Sequence, residues 1–268
     1  MTTHDRPENA TALVTGATGG IGLELARLLA ADGFHLILVG RRRDRLEQVA
    51  AELGAAHRIE VRIEALDLSE AGAAVRLGSE LAPKPGRIDV LINNAGVGLY
   101  GPVEAQEPAE LDRMVQLNVA ALTMLTRLAL PGMRERGWGR ILNLASVVGF
   151  QPGAPYMAAY YASKAYVLSF SKGLALELRG SGVSVTALSP GPVETDFDDR
   201  AGTGADVPFK RLPKLSAAAV ARAGYDGMQR GSMVVIPGLL TKLLSFAGEL
   251  PPRRIALEVN RVLWTPRA

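Results

Sequence analysis

Short β-rich runs alternate with apolar stripes at helical spacing along most of this chain. Residues 12–14 and 35–39 read as two strands, and between them Ile21, Leu25, Leu28 and Leu29 share one face of a helix that stops at Gly33. Leu46, Val49, Ala50 and Leu53 form the next helical stripe, ending at Gly54. In residues 59–63 the apolar Ile59, Val61 and Ile63 alternate with Glu60 and Arg62, so this third strand has one wet face and is expected near a sheet edge. Further strands are expected at 88–92, 140–144, 183–188 and 233–236. Long helices are expected over 108–130 and 155–178, with a shorter one capped by Ser216 and running to Met228. This order predicts an α/β protein with about seven strands in a parallel sheet and helices on both faces.

Three stretches depart from the alternation without marking a second domain, so residues 1–268 are read as one domain. Residues 1–9 are polar, lack the apolar core of a signal peptide, and read as a disordered tail. Residues 196–215 are rich in Asp, Gly, Arg and Pro and read as an excursion on the substrate side of the sheet. The extension 239–268 is apolar but interrupted by Pro251-Pro252. Its leucines suit a cover over a substrate mouth, a subunit contact or a membrane surface, and the sequence leaves these alternatives open. No uncharged run approaches the ~20 residues that span a bilayer. The nearest, 233–250, is interrupted by Pro237, Lys242 and Glu249.

Composition narrows the chemistry. There is no cysteine, which excludes disulfides, thiolate metal sites and cysteine nucleophiles and fits a cytoplasmic location. His4, His35 and His57 have no ligand spacing, so no metal site is expected. A net charge of +3 over 268 residues gives no reason to expect a nucleic-acid partner. Aromatics are only 5% of the chain against 48% apolar residues overall, so the core must be built mainly from Leu, Val, Ile and Ala.

The first strand runs into Thr15-Gly16-Ala17-Thr18-Gly19-Gly20-Ile21-Gly22, directly before a helix. A helix that begins there points free amides and its positive dipole end at whatever lies above the turn, and glycines let a phosphate come close. The second strand ends at Val39-Gly40, followed by Arg41-Arg42-Arg43. An acidic residue that would hold a ribose 2′-hydroxyl is missing there. Arg41, helped by Arg42 and Thr18, instead suits a 2′-phosphate, which points to NADP(H).

Tyr160 and Lys164 lie one helical turn apart in the expected 155–178 helix, so both can face one cleft. A free tyrosine titrates near ~10. The nearby ammonium, together with a positively charged oxidised nicotinamide, is expected to favour the phenolate, and a shift of two to three units requires about 3–4 kcal/mol. Ser146 follows the strand at 140–144, at the end of the sheet where open α/β folds bind ligands. Its hydroxyl can donate to a substrate carbonyl oxygen. No Gly-x-Ser-x-Gly elbow surrounds Ser146, which argues against serine hydrolysis.

With these motifs in this order, the chain resembles the short-chain dehydrogenase/reductase family in its single-domain, NADP(H)-preferring form, over about residues 11–236. The resemblance implies a Rossmann-type, doubly wound parallel sheet. It assigns the diphosphate turn to Gly16, Thr18, Gly19, Gly20, Ile21 and Gly22, and the adenine amino group to Asp67-Leu68. Asn93-Asn94-Ala95-Gly96 matches a segment that lines the adenine ribose, through Asn94, Ala95 and Gly96. Pro190 to Thr195 matches one whose Val193 backbone and Thr195 hydroxyl hold the nicotinamide amide. The family's tetrad carries over to Asn118, Ser146, Tyr160 and Lys164. Tyr160 and Lys164 also touch the cofactor, and Asn118 holds a water that completes a proton path from Lys164. Two departures stand out: Ser146 and Tyr160 are one residue further apart than the family pattern, so residues 147–159 must bulge, and Gly19 stands where some NADP-preferring relatives carry a basic residue.

The implied activity is hydride transfer between NADP(H) and a carbonyl or secondary alcohol, with reduction of a hydrophobic ketone or aldehyde expected. The competing reading is a catalytically silent NADP(H)-binding regulator or scaffold, against which the intact tetrad speaks. Residues 97–100, 147–157 and 196–214 are expected to shape the substrate pocket. The resemblance also implies a homodimer or homotetramer, one of whose interfaces the 239–268 extension is able to block.

Overall fold

The computed structural model describes residues 6–81, 87–202, 207–250 and 252–266. Its framework is seven parallel strands: β1 (Thr11–Thr15), β2 (His35–Gly40), β3 (Val61–Ala65), β4 (Val90–Asn93), β5 (Gly139–Leu144), β6 (Val183–Leu188) and, after a small side sheet, β9 (Val234–Val235). Their spatial order is β3-β2-β1-β4-β5-β6-β9. The chain moves outward from β1 to β3, then returns to lay β4 on the other side of β1. Val14 therefore pairs with both Leu38 and Ile92. The connections leaving β1 and β4 lead to β2 and β5 on opposite sides, and a crevice opens at this reversal of strand order.

Both faces of the sheet are covered, which is why the central strands are apolar without alternation. Ala12 and Val14 point toward α1 (Gly20–Ala31), α2 (Arg43–His57) and α8 (Ala217–Gln229), packing with Leu25, Leu29, Val220 and Met228. Leu13 points the other way, toward α3 (Ala73–Leu81) and α5 (Leu122–Glu135), into a second layer with Leu77, Leu125 and Met133. As expected, β3 lies at the sheet edge and Ser216 caps α8, its hydroxyl accepting from the Ala219 amide at 3.2 Å.

Several boundaries move for physical reasons. The second helix does not stop at Gly54. It runs to His57 and ends at Arg58, which takes the left-handed conformation (φ 55°) and returns its amide to the Gly54 carbonyl. The third strand sits two residues later than expected, because its register with β2 pairs Leu36 with Val61. The small side chains of Ala73 and Ala74 made α3 illegible as an apolar stripe, yet Ala73, Leu77 and Leu81 are buried at four-residue spacing. The expected 108–130 helix is three pieces: α4 (Pro108–Val115), a π-helical turn (Gln116–Ala121) and α5. By length and composition this Pro108–Glu135 run, rather than 233–250, is apolar enough to cross a membrane. Here its Met114, Ala121 and Leu125 are packed in the interior.

The long helix α6 (Ala158–Glu177) starts three residues later than expected, because residues 147–157 form a 3-10 turn (Val147–Phe150) and an irregular bend with Tyr156 at φ 61°. The excursion at 196–215 carries a short helix α7 (Phe197–Arg200), a 3-10 turn (Pro208–Arg211) and β8 (Leu215–Ser216), which pairs with β7 (Val193–Glu194). Part of the excursion, 203–206, lies outside the described residues, as do residues 1–5 of the expected tail. From Arg6 onward that tail is anchored, its guanidinium lying over the Phe34 ring and donating to the Asp32 carbonyl. The carboxy-terminal extension forms α9 (Leu239–Glu249) and α10 (Arg253–Trp264).

Candidate active site

A cavity of about 520 Å3 fills the crevice, reaching from the glycine turn past Ser146 and Tyr160 to Trp264. Its floor is built by packing too tight for side chains. A Cβ on Gly22 would lie 2.3 Å from Asn94 Nδ2 and 2.4 Å from the Gly16 carbonyl oxygen. Gly16 itself needs a left-handed backbone, φ 67°, to turn under Asn94. Thr15 joins the two strand ends, because its hydroxyl accepts from the amides of Asn94 and Ala95, both at 2.9 Å. Asn94 answers by donating its Nδ2 to the Thr15 carbonyl at 2.9 Å.

Gly19 precedes α1 and offers no side-chain cap, so the first turn of that helix opens into the cavity through Gly19, Gly20 and Ile21. Thr195 stands over this turn, its methyl 3.2 Å from where a Gly20 Cβ would be. Gly16, Thr18, Asn94, Ala95, Gly96 and Val193 line the same wall, whereas Gly22 does not reach the cavity and serves its packing instead.

Arg41, Arg42, Asp67 and Leu68 line the far end, together with Glu110 and Arg113, which the sequence analysis missed. Arg113 donates to Asp67 at 3.1 Å and Arg41 lies 3.8 Å from the same carboxylate. Partial burial opposes ionisation of Asp67, but the Ser69 amide and hydroxyl, at 3.0 and 2.6 Å, and the two arginines outweigh it and hold its carboxyl below its ordinary range. The Arg41 side chain is 59% exposed, so this long ion pair is a weak tether and leaves the guanidinium able to turn toward a phosphate. A dinucleotide 2′-phosphate thus fits the donor set at this end.

At the near end, Ser146 lies just past β5 with an extended backbone, its hydroxyl accepting from the Val148 amide at 3.3 Å, and lines the cavity with Tyr160. Tyr160 and Lys164 are both buried on α6 and both line the cavity. The Lys164 ammonium donates to the Leu144 carbonyl at 2.7 Å and lies 5.9 Å from the Tyr160 ring centre. Asn118 does not line the cavity. Its side chain clasps Val97, accepting from the amide at 3.0 Å and donating to the carbonyl at 2.9 Å, and also donates to Ser163 Oγ at 3.1 Å. It sits inside the π-helical turn, where the widened helix brings it against both β4's exit loop and α6.

Among the protein's own groups, burial has the largest effect on the Tyr160 phenol. Burial raises the cost of a phenolate and pushes the phenol well above its usual range, the Ser146 hydrogen bond pulls it back in part, and the Asp198 carboxylate raises it further. The same burial brings the Lys164 ammonium down to about 8. The phenol is therefore held as a protonated acid at neutral pH.

Trp264, also missed by the sequence analysis, closes the cavity's outer wall with Phe197 and Phe209. Its ring stacks on Phe209 with centres 4.4 Å apart, and the Phe197 ring lies 5.4 Å from that of Tyr160. Val97, Leu99, Val148 and Met157 complete an apolar lining drawn from the three segments expected to shape it.

The chain matches the short chain dehydrogenase family model over residues 10–205. It is 36% identical over 208 residues to a short chain dehydrogenase of Pseudocercospora fijiensis, covering 75% of this chain and 66% of that protein. A short-chain dehydrogenase from Sphingobium yanoikuyae in complex with NADPH superposes with a TM-score of 0.79 at 34% identity, covering 89% of this chain and 92% of that one. The bulky-bulky ketone specific alcohol dehydrogenase from Comamonas testosteroni gives a TM-score of 0.75 at 33% identity, covering 86% of each chain.

Proposed function

The chain belongs to the short-chain dehydrogenase family, and from that premise we propose that it reduces a hydrophobic ketone or aldehyde with NADPH. The observation that carries this reading is the convergence of Ser146, Tyr160 and Lys164 on the cavity that the glycine turn and Arg41 also line. NADPH bound along that cavity supplies the hydride.

The α1 amides at Gly19 to Ile21 take the diphosphate, Arg41 and Arg42 the 2′-phosphate, and Asp67 with Leu68 the adenine. Asn94, Ala95 and Gly96 flank the adenine ribose, and Lys164 binds the hydroxyls of the other ribose. Val193, through its backbone, and Thr195, through its hydroxyl, hold the carboxamide. Ser146 and Tyr160 hydrogen-bond the substrate oxygen, and Tyr160 gives it a proton as negative charge develops there. A phenol kept protonated by burial suits this direction, because it enters the reaction as an acid. Asn118 is a positioning residue: by clasping Val97 and Ser163 it fixes the cavity wall against α6.

The aromatic and aliphatic outer wall favours an apolar substrate arm, in keeping with the NADPH bound to one solved relative and the bulky-ketone specificity of the other. Assembly as a homodimer or homotetramer through α5 and α6 belongs to the same reading, supported by the exposed Leu128, Tyr166 and Leu176 on those helices.

Tyr160→Phe tests it. NADPH consumption with a panel of apolar ketones should fall about 10²–10⁴-fold, while NADPH binding, followed by nucleotide fluorescence, stays near wild type. Turnover at the wild-type rate in that variant overturns the acid role.

A further inference from the structure

Each of the two carboxy-terminal helices exposes an apolar stripe. On α9 the residues turned inward are Thr241, Ser245 and Gly248, small or polar and spaced to form one stripe. Gly248 packs so closely that its Cβ would lie 2.5 Å from Gln151 Nε2, which itself donates to the Leu244 carbonyl at 2.7 Å. The opposite stripe, Leu239, Leu243, Phe246 and Leu250, faces outward, with Leu239 76% and Phe246 64% exposed.

The second helix also exposes an apolar stripe. Asn260 and Trp264 are buried on α10, and Asn260 donates to the Gly153 carbonyl at 2.8 Å. Ile255, Val259 and Val262, at i, i+4 and i+7, are exposed, Ile255 by 63%. Leu244, Leu263 and Trp264 already supply the inward apolar contacts of these helices, so the exposed apolar stripes are surplus to the core and suit an apolar environment outside the protein.

Charge selects the environment. Glu249 pairs with Lys172 at 3.6 Å and Glu258 with Arg261 at 2.7 Å. Lys242, Arg253 and Arg254, also exposed on these helices, have no ion-pair partner among the described residues. The apolar stripes are thus flanked by uncompensated cations on long stems that can reach headgroups. A second copy meeting this face symmetrically would set the same cations against themselves. Anionic lipid satisfies both halves of the surface at once.

We propose that the outer face of α9 and α10 docks on an anionic lipid surface. Since the inner side of α10 carries Trp264 into the cavity wall, docking places the substrate mouth at the edge of the lipid. The proposal is independent of which carbonyl compound is reduced.

The test is co-sedimentation of the full chain with vesicles of phosphatidylcholine containing about a third phosphatidylglycerol. The wild type should sediment with these vesicles, less so as salt is raised, and weakly with phosphatidylcholine alone. Leu243→Ser/Phe246→Ser should weaken binding about tenfold or more, with an unchanged circular dichroism spectrum and unchanged turnover of a water-soluble ketone. If that variant folds poorly, the rim variant Lys242→Glu/Arg254→Glu serves in its place and should abolish the salt-sensitive binding. A wild type that stays in the supernatant overturns the proposal, and so does a folded variant that binds as well as the wild type. If sedimentation velocity instead shows an oligomer that these substitutions split, with no vesicle binding, a second copy covers the face and the proposal also fails. Loss of reductase activity with vesicle binding intact would fault the functional reading alone.

Discussion

The Trp264 indole N–H donates to the Tyr161 hydroxyl at 2.6 Å, joining the last helical turn to the residue beside Tyr160. The same tryptophan accepts from the Tyr100 hydroxyl through its carbonyl at 3.0 Å. Three separate parts of the chain thus hold one aromatic wall of the cavity. Trp264→Ala removes the ring and strands the Tyr161 hydroxyl, so thermal unfolding should show a loss of about 3 kcal/mol or more. It should also raise KM for an apolar ketone by about tenfold, worth ~1.4 kcal/mol, with a smaller effect on kcat. Trp264→Phe keeps the stack on Phe209 and should recover most of the KM. Equal KM values in all three proteins would remove Trp264 from the substrate wall.

Cofactor preference should reside in Arg41. Its pairing with Asp67 is long and exposed, so little stands in the way of the guanidinium meeting a phosphate. Arg41→Glu should weaken NADPH binding by about 1.5–3 kcal/mol, on the order of tenfold to a hundredfold, and leave NADH binding little changed. The converse variant is Gly19→Arg. Gly19 has an extended backbone (φ −179°) that any residue adopts, and a Cβ there meets nothing within 4 Å. This substitution should tighten NADPH relative to NADH. Isothermal titration with both nucleotides decides, and an unchanged NADPH/NADH ratio in both variants would contradict the assignment.

The glycine turn makes a steric prediction of its own. Gly22→Ala forces a methyl against the Gly16 carbonyl and Asn94, and both are tied into the strand ends. Backbone must shift, at a cost of about 1–3 kcal/mol. Gly19→Ala in the same turn should be tolerated within about 0.5 kcal/mol. Urea titrations of the two variants give the comparison, and equal midpoints would mean that the turn is looser than its geometry.

Lys164 makes stability depend on pH in a particular direction. Burial lowers its folded value to about 8 from an ordinary 10.5. Between these values the unfolded chain still binds a proton that the folded chain has released, so stability rises with pH across that window. The burial cost of the charge is present below about 8 and is relieved as pH climbs. The tyrosines act oppositely. Tyr160 and Tyr161 are raised by burial, so above about 10 the unfolded chain loses phenolic protons first and stability falls again. Denaturant titrations should therefore show a gain of about 2 kcal/mol from about pH 7 to 9.5 in the wild type that is missing in Lys164→Met. Parallel pH curves for the two proteins would show that Lys164 is not titrating in that range.

Local rules made the sheet strands and most of their covering helices legible in the sequence, together with the glycine turn, Ser146, Tyr160 and Lys164 of the crevice. Apolar periodicity places elements, and glycine runs after a strand mark a turn that needs close approach. Tyr160 and Lys164 on one helix could be read together because four residues make one turn. Other relationships, which no local spacing encodes, came only with folding. It joined Thr15 to Asn94 and Ala95, brought Trp264 from the far end of the chain to Tyr161, and paired Arg113 with Asp67. It also set how deeply both groups of the helical pair are buried, which raises the Tyr160 phenol and lowers the Lys164 ammonium. Desolvation depends on everything packed around a group, and that environment exists only once the chain has folded.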